Sequence, residues 1–323
     1  MMQRRFELPI AGLLFAIICL SCSTTVWAEN TGQTIAETPQ ESLVQQENWD
    51  RLGVEEPTGV ARAELVTFQT LHGIVLGGQS CALLGCDSPR LALGLPTLGG
   101  SIGLGGSLLF SRDGITSGHA SAINSGVIWG GWLGAASAGL VADLDGDEIT
   151  GVMMAGQVAG LGVGYLLAQQ IRPTAGDTRL VNLGGAWSAF YYLIVTEGIL
   201  RLRQSRQTMG LGLIGATLSG AGLGAAIASA HPMSAGRVGI ISATGVLGVL
   251  AGLTAPVIAL GDEADRTSVM VSAALGATAG LGIGTLLTRD WDDEEAYQPQ
   301  AMSFSILPTL DGDGIQGSIS GQF

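Results

Sequence analysis

The stretch that decides the fold is GLGVG at residues 160–164, because it recurs as GAGLG at 220–224 and as GLGIG at 280–284. Successive copies therefore start sixty residues apart, at 160, 220 and 280. Small residues spaced by four continue upstream of each copy, and this spacing returns to one face of an α-helix. Small residues on such a face allow another helix backbone to approach closely. The predicted helix-packing residues are Gly99, Gly103, Gly126, Gly130, Gly134, Gly156, Gly160, Gly164, Gly220, Gly224, Gly276, Gly280 and Gly284.

A second landmark recurs with nearly the same period and indicates an internal repeat. Asn124, Asn182 and Ser242 each follow a small residue-glycine pair by six positions. Each unit holds two apolar segments, which in the first two units are residues 63–85, 91–110, 117–141 and 150–171. The sequence therefore predicts an all-α fold of four tandem αα-hairpin repeats of about 60 residues, with eight Gly/Ala-rich helices and a short C-terminal β-hairpin. The predicted units of the body, residues 61–292, are 61–114, 115–173, 174–232 and 233–292.

The alternation in GLGVG is also typical of strands in an outer-membrane β-barrel. The uninterrupted apolar runs are about 20–25 residues long, however, which is twice the length of a barrel strand. Glycine disfavours a helix by about 1 kcal/mol relative to alanine, so this many glycines indicate close packing that offsets the cost.

The two ends of the chain differ from the repeats. Residues 1–28 are typical of a secretory signal peptide, with Arg4 and Arg5 before an apolar core and a Val26-Trp27-Ala28 cleavage site. An uncleaved anchor helix is the alternative. Residues 29–60 are polar and predict a flexible lead-in. Residues 293–323 begin as an acidic linker and then alternate around a turn at 308–314, which predicts the β-hairpin.

Composition narrows the function classes. Charged residues make up 13% of the chain, the mean hydropathy is +0.42, and 51 residues are glycine. The net charge is −13 and all 14 basic residues are arginine. An acidic chain repels a phosphate backbone, so we expect no nucleic-acid partner.

The cysteines indicate an oxidising compartment. Cys19 and Cys22 would leave with the signal peptide, whereas Cys81 and Cys86 remain as a pair. In an exported chain this pair predicts a disulfide that closes the first interhelical loop. The alternative is two buried thiols. A metal site is disfavoured because no histidine lies nearby.

One acidic turn is a weak calcium candidate. Asp143, Asp145 and Asp147 alternate as carboxylate ligands do at the start of a calcium loop. A calcium loop of this kind has a glycine at its sixth position, whereas Gly146 stands at the fourth position counted from Asp143. An acidic turn before a helix N-terminus is the simpler interpretation, and we expect neither a metal nor a cofactor.

Polar and aromatic residues inside the apolar helices have two interpretations. Asn124 and Asn182 either line a cavity or form interhelical hydrogen bonds that fix helix register. Trp129, Trp132 and Trp187 are typical of packing or interfacial anchors.

Catalytic motifs are missing from the sequence. His72, His119 and His231 have no Ser, Cys or carboxylate at a repeated position, and the sequence contains no GxSxG, HExxH or Walker motif. The GLGVG stretches lie within helices and do not follow a strand, as a dinucleotide-binding loop would. The sequence predicts a protein that is not an enzyme.

Three segments of the sequence are similar to segments of a known group of proteins. TSGHASAINSGVIWGGWLG (116–134), TAGDTRLVNLGGAW (174–187) and MSAGRVGIISATGVLG (233–248) resemble uncharacterised exported Gly-rich helical-repeat proteins of Gram-negative bacteria. The likeness covers roughly residues 61–323 and implies export without implying an activity. The GxxxGxxxG ladders are also similar to those of glycine-zipper envelope proteins.

These observations lead to an expected function and location. We expect a non-enzymatic structural or membrane-associated protein of the cell envelope, in the outer membrane or the periplasm, whose partners are membrane or envelope components. A homo-oligomer is a further expected assembly. The inner membrane is disfavoured because the loop holding Cys81 and Cys86 would then face the reducing cytoplasm. The alternative is a soluble periplasmic helical-repeat binding or scaffold protein whose groove is lined by Asn124, Asn182 and the tryptophans.

Overall fold

The computed structural model describes residues 55, 57–141 and 144–292, together with two C-terminal strands. The predicted signal peptide and most of the lead-in lie outside the described residues. The body is all-helical, as predicted, with eight α-helices in its described part. They are α1 (Gly59–Leu84), α2 (Pro89–Phe110), α3 (Ser117–Ala138), α4 (Gly146–Ile171), α5 (Ala175–Leu193), α6 (Arg206–Ala230), α7 (Ala235–Leu260) and α8 (Arg266–Leu287). A π-helical turn, Ile194–Ile199, extends α5, and a 3₁₀ turn, Gly261–Glu263, follows α7.

Side-chain caps explain where the helices begin. Each α-helix of the described part follows a Ser, Thr or Asp whose side-chain oxygen accepts a backbone N–H from the first turn. Such a cap satisfies one of the N–H groups that lack a partner within the helix. The caps are Thr58, Ser88, Thr116, Asp145, Thr174, Ser205, Ser234 and Asp265. The first helix begins at Gly59, slightly before the predicted start of the body at residue 61.

Consecutive helices pack most extensively on each other, in the pairs α1–α2, α3–α4, α5–α6 and α7–α8. The helices of a pair run antiparallel, since Gly73 faces Gly99 while Gly77, one turn later, faces Leu95. The shortest connection within a pair is that of residues 85–88, and the longest, residues 194–205, includes the π-helical turn.

Glycines bring the two backbones of each pair into contact. A Cβ added to Gly160 would overlap the carbonyl oxygen of Gly126, and one added to Gly130 would overlap that of Gly156. Gly162, between the two contact positions of GLGVG, faces open space. All of the predicted glycines lie against the partner helix of their own pair. Gly99 and Gly103 face α1, Gly126, Gly130 and Gly134 face α4, Gly156, Gly160 and Gly164 face α3, Gly220 and Gly224 face α5, and Gly276, Gly280 and Gly284 face α7.

The four pairs are arranged as two layers. The odd-numbered helices form a row in the order α1, α3, α5, α7, in which each contacts the next. Each even-numbered helix lies on the odd helix of its own pair, and α4 and α6 also touch the odd helix of the pair before. Apart from Val195 in the π-helical turn, the exposed large apolar side chains of the described helices lie on the six helices other than α3 and α5. The two central odd helices are therefore the most enclosed part of the body.

The C-terminal strands β1 (Ser303–Pro308) and β2 (Ile315–Ser320) pair antiparallel, with Ser303 opposite Ser320 and Pro308 opposite Ile315. The predicted acidic linker before them lies outside the described residues. Packing of this segment against the helices stays a prediction.

The close approach of α3 and α4 can be tested at GLGVG. Gly160→Ala places a methyl group against the Gly126 carbonyl, so the helices must separate, and we expect a loss of about 1–3 kcal/mol of stability. The matched control Gly162→Ala fills open space on the same helix and should be neutral or stabilising by up to about 1 kcal/mol. Thermal unfolding followed by circular dichroism measures both variants. Equal effects of the two substitutions would contradict the contact.

Candidate functional site

Charged residues are confined to the two ends of the helical body. Every helix contains a long run without Asp, Glu, Lys or Arg. The runs are 65–86, 91–111, 114–142, 149–171, 180–196, 207–236, 238–261 and 267–288. About 20 such residues in a helix cross the 30 Å hydrocarbon core of a bilayer. We call this charge-free zone the apolar belt.

Within the described residues, five helices are long and apolar enough to cross a membrane, namely α2, α4, α6, α7 and α8. In the most apolar stretch of each of these helices, at most 22% of the residues are buried inside the protein. Their exposed side chains include Leu98, Val163, Leu223, Ile258 and Leu286. The most apolar helices therefore lie outside, and the less apolar α3 and α5 lie inside.

The end of the body at which the odd helices finish carries the disulfide, and we call it the disulfide end. Cys81 and Cys86 are bonded to each other there. Gly85, in a left-handed conformation with φ of 61°, ends α1 and turns the chain between the two cysteines. A disulfide is typical of an oxidising compartment.

At the opposite end, which we call the Glu55 end, the carboxylate of Glu55 binds the first turns of two helices. The Glu55 oxygens accept the backbone N–H of Gly118 at 2.6 Å and of Ala175 at 2.7 Å. These two residues lie in the first turns of α3 and α5, where the helix dipole favours negative charge. Glu55 therefore ties the starts of the two central helices together. The residue belongs to the segment predicted as a lead-in, and its contacts make it part of the body.

A second carboxylate holds the start of α7. Asp292 accepts the Ser234 backbone N–H at 3.1 Å and an Arg237 guanidinium N–H at 2.9 Å, and both charged side chains are largely buried. Partial burial by itself raises the pKa of Asp292, but the hydrogen bonds from Arg237 and Ser234 outweigh it, and the pKa lies below its ordinary value.

A buried polar cluster crosses the apolar belt between α1, α3 and α4. The Gln69 side-chain amide donates to Asn124 Oδ1 at 3.0 Å. The two ring nitrogens of His72 lie 3.4 Å from Gln69 Oε1 and 3.2 Å from Gln157 Oε1. All four side chains are buried. We call these residues the His72 cluster.

Asn182 occupies the corresponding position on α5. It accepts a hydrogen bond from Trp129 Nε1 at 2.7 Å and donates to Ser125 Oγ at 2.7 Å. Asn124 and Asn182 thus both bond between neighbouring odd helices, which is the register-fixing arrangement. The equivalent indole of Trp187 is buried, and its Nε1 has no hydrogen-bond partner within the described residues.

A long groove opens beside the His72 cluster. Its volume is about 610 Å³, and it lies between α2 and α4 with α1 as its floor. Gln69 and His72 reach its floor, whereas most of the lining is apolar. The expected groove of Asn124, Asn182 and tryptophans differs from this one. Asn124, Asn182 and Trp129 bond between odd helices, and Trp132 donates to Thr217 of α6.

The acidic turn before α4 acts as a helix cap in the structure. Asp145 Oδ1 accepts the backbone N–H groups of Asp147 and Glu148, and the Glu148 carboxylate accepts the Asp145 backbone N–H. Asp143 lies outside the described residues. No group of three or more His, Cys, Asp or Glu residues that could hold a metal ion is found in the described part.

Several residues of these sites were missed by sequence analysis. One group is the glycines that face the predicted ones, namely Gly73, Gly77, Gly184, Gly248 and Gly252. Where two of them are four residues apart, as at 73 and 77, that spacing could have identified them from the sequence. The Glu55 contacts and the His72 cluster carry no local signal, because their members lie far apart in sequence.

Comparison with protein-family models, curated proteins and solved structures found no match. The resemblance to exported Gly-rich helical-repeat proteins therefore stays a prediction.

Two tryptophans at equivalent positions provide a matched test of the polar contacts. Trp129→Phe and Trp187→Phe remove the same atoms, but only the Trp129 indole donates a hydrogen bond within the described residues. We expect Trp129→Phe to lose about 1–2 kcal/mol more stability than Trp187→Phe, because Asn182 loses its hydrogen-bond donor. Thermal unfolding compares the two variants. Equal losses would show that the Asn182 bond does not stabilise the fold.

The Asp292 contacts predict a pH dependence. Because the folded pKa is lowered, the contribution of Asp292 is present above its unfolded pKa and is lost as the pH falls through the folded value. Asp292→Asn should lose about 1–2 kcal/mol at pH 7, and its difference from the wild type should shrink below about pH 4.

Asp290→Asn is the control, because the Asp290–Arg289 pair is mostly exposed and should contribute about 0–0.5 kcal/mol. Unfolding curves recorded from pH 3 to pH 8 measure both variants. A difference between Asp292→Asn and the wild type that does not change with pH would contradict the assigned role of the carboxylate.

Proposed function

We propose that this chain is a non-enzymatic structural protein of the cell envelope whose helical body lies in a membrane. The observation that carries the proposal is the inverted distribution of polarity. The outer helices α2, α4, α6, α7 and α8 expose apolar side chains, while the central helices hold the Asn and Trp hydrogen bonds. Hydrocarbon is the solvent that such a surface matches.

The apolar belt supports the same proposal. All eight helices keep their charges at the ends, so the belt matches the thickness of a bilayer core along its whole circumference. Arginine and carboxylate side chains at the Glu55 end and at the disulfide end would then meet water and lipid headgroups. The belt does contain a histidine, His72, and its two ring nitrogens lie against the side-chain oxygens of Gln69 and Gln157.

We further propose that the four helix pairs are copies of one repeat joined by a glycine zipper. Three of the pairs share the contact pattern of GLGVG, in which the first and third glycines touch the partner helix while Gly162, Gly222 and Gly282 face outward. Without a hydrophobic driving force between helices in lipid, close backbone packing is the main source of association.

Export to the outer membrane is the proposed location. The disulfide supports an oxidising compartment, and the interpretation of residues 1–28 as a signal peptide supports export. The proposed partners are membrane or envelope components and further copies of the chain. The open edges of the odd row, at α1 and α7, expose Leu71 and Leu247 and are where a further copy would pack.

A soluble periplasmic binding or scaffold protein is the second candidate, and the groove between α2 and α4 is the observation that favours it. Such a protein would leave the apolar faces of α6 and α8 in water, which is costly for large contiguous patches.

Cell fractionation distinguishes the two candidates. A membrane-embedded protein should stay with the membrane fraction through osmotic shock and a high-salt wash, and detergent should release it, because the attachment is apolar. A periplasmic binding protein expressed in the same cells is the control for shock release. Release of this chain by osmotic shock alone would refute the membrane location.

A further inference from the structure

We propose that the groove between α2 and α4 binds the hydrocarbon chain of a fatty acid, with its carboxylate at the Glu55 end. This inference rests on the proposed membrane location and goes beyond it, since it assigns a specific lipid to a specific site.

The shape of the groove fits a single chain. On α2 the lining runs from Leu95 to Phe110, which at 1.5 Å per residue is about 22 Å long. Its volume of about 610 Å³ is spread along that length, so the groove is long and narrow. An extended hydrocarbon chain can follow it from end to end. A compact ligand of the same volume would leave most of the length empty.

The chemistry of the walls also fits a chain. Leu98 and Ile102 on α2 face Val158 and Leu161 on α4, so the two sides are aliphatic. The polar atoms of Gln69 and His72 on the floor are bonded within the His72 cluster. The middle of the groove therefore favours a ligand segment without polar groups.

Charge at one mouth sets the orientation of the chain. The rings of Phe110 and Tyr165 lie 5.4 Å apart at the Glu55 end of the groove. Arg112 follows Phe110 by two residues, and Arg172 follows Tyr165 by about two helical turns. The side chains of both arginines are exposed, and the Arg112–Asp113 pair is mostly exposed and weak. Neither arginine lines the groove itself, but each follows a helix that does, on the side of this mouth, and a guanidinium group there complements a carboxylate.

The groove can be blocked without disturbing the helix contacts. Gly162 lines it and faces open space, so a side chain added there enters the groove and meets no backbone. Gly222 is the equivalent glycine of α6; it also faces open space, and it does not line this groove. Gly162→Phe and Gly222→Phe are therefore matched variants.

The test uses a palmitic acid that carries a diazirine in its chain, added to the full-length protein in phosphatidylcholine vesicles. Irradiation followed by peptide mass spectrometry maps the labelled residues. We expect labelling of the groove faces of α2 and α4, reduced by roughly tenfold in Gly162→Phe, the scale on which filled volume acts in an apolar pocket. Gly222→Phe should label like the wild type. Arg172→Gln should weaken groove labelling, and the same diazirine chain on lysophosphatidylcholine should label the groove less than palmitate does.

The outcomes separate this inference from the membrane proposal. Labelling spread evenly over α2, α4, α6 and α8, and unchanged in Gly162→Phe, would overturn the fatty-acid site while supporting contact with lipid. Stronger groove labelling by lysophosphatidylcholine than by palmitate would overturn the assignment of a carboxylate. Absence of label from every helix would overturn the membrane location itself. Circular dichroism of Gly162→Phe checks that the variant is folded, and competition of unlabelled palmitate against the probe on the wild type tests the site independently of any substitution.

Discussion

The structure depends on the distance between two helix backbones within each pair. At Gly126 and Gly160, or at Gly73 and Gly99, no Cβ fits between one helix and a carbonyl oxygen of the other. Such contact costs helix propensity at each glycine, about 1 kcal/mol relative to alanine in water. It is offset by dispersion contacts over a long and flat interface. Because the helices of a pair bind through their glycine faces, their leucine, isoleucine and valine side chains are left to point elsewhere.

The outward direction of these large apolar side chains explains the arrangement of the whole body. Side chains that would form the core of a soluble bundle lie on the outer faces of the even helices, as at Leu223 and Leu286. The buried core of the described residues forms two clusters, and in the larger one Trp187 and Phe190 of α5 pack edge to face. Between neighbouring odd helices the contacts are specific and polar, as in the bonds of Asn124 and Asn182. The molecule therefore combines non-specific apolar surfaces outside with directional bonds inside, which suits a lipid solvent and also opens the groove beside α2.

Local patterns predicted much of this fold. The helices, their pairing and the glycine faces follow from spacing, because the residues that decide them are three or four positions apart. The disulfide followed from the pairing of Cys81 and Cys86 within one loop. Glu55 could not be predicted, since it binds the Ala175 N–H across 120 residues and looks like any acidic residue of a polar segment. His72 and Gln157 are likewise 85 residues apart. The expected groove was placed at the asparagines, because spacing shows that a polar residue is buried but does not show whether a neighbouring helix occupies the space beside it.

The central claim is that the outward faces of the even helices contact hydrocarbon. It can be measured with nitroxide spin labels on Gly222→Cys and Gly282→Cys, which face open space in the middle of α6 and α8. Asp290→Cys, beyond the end of α8, serves as the water-exposed reference. Power saturation in lipid vesicles compares collisions with oxygen, which concentrates in the bilayer, and with a water-soluble nickel complex. The account predicts high oxygen and low nickel accessibility at residues 222 and 282. Nickel accessibility there equal to that at residue 290 would contradict it.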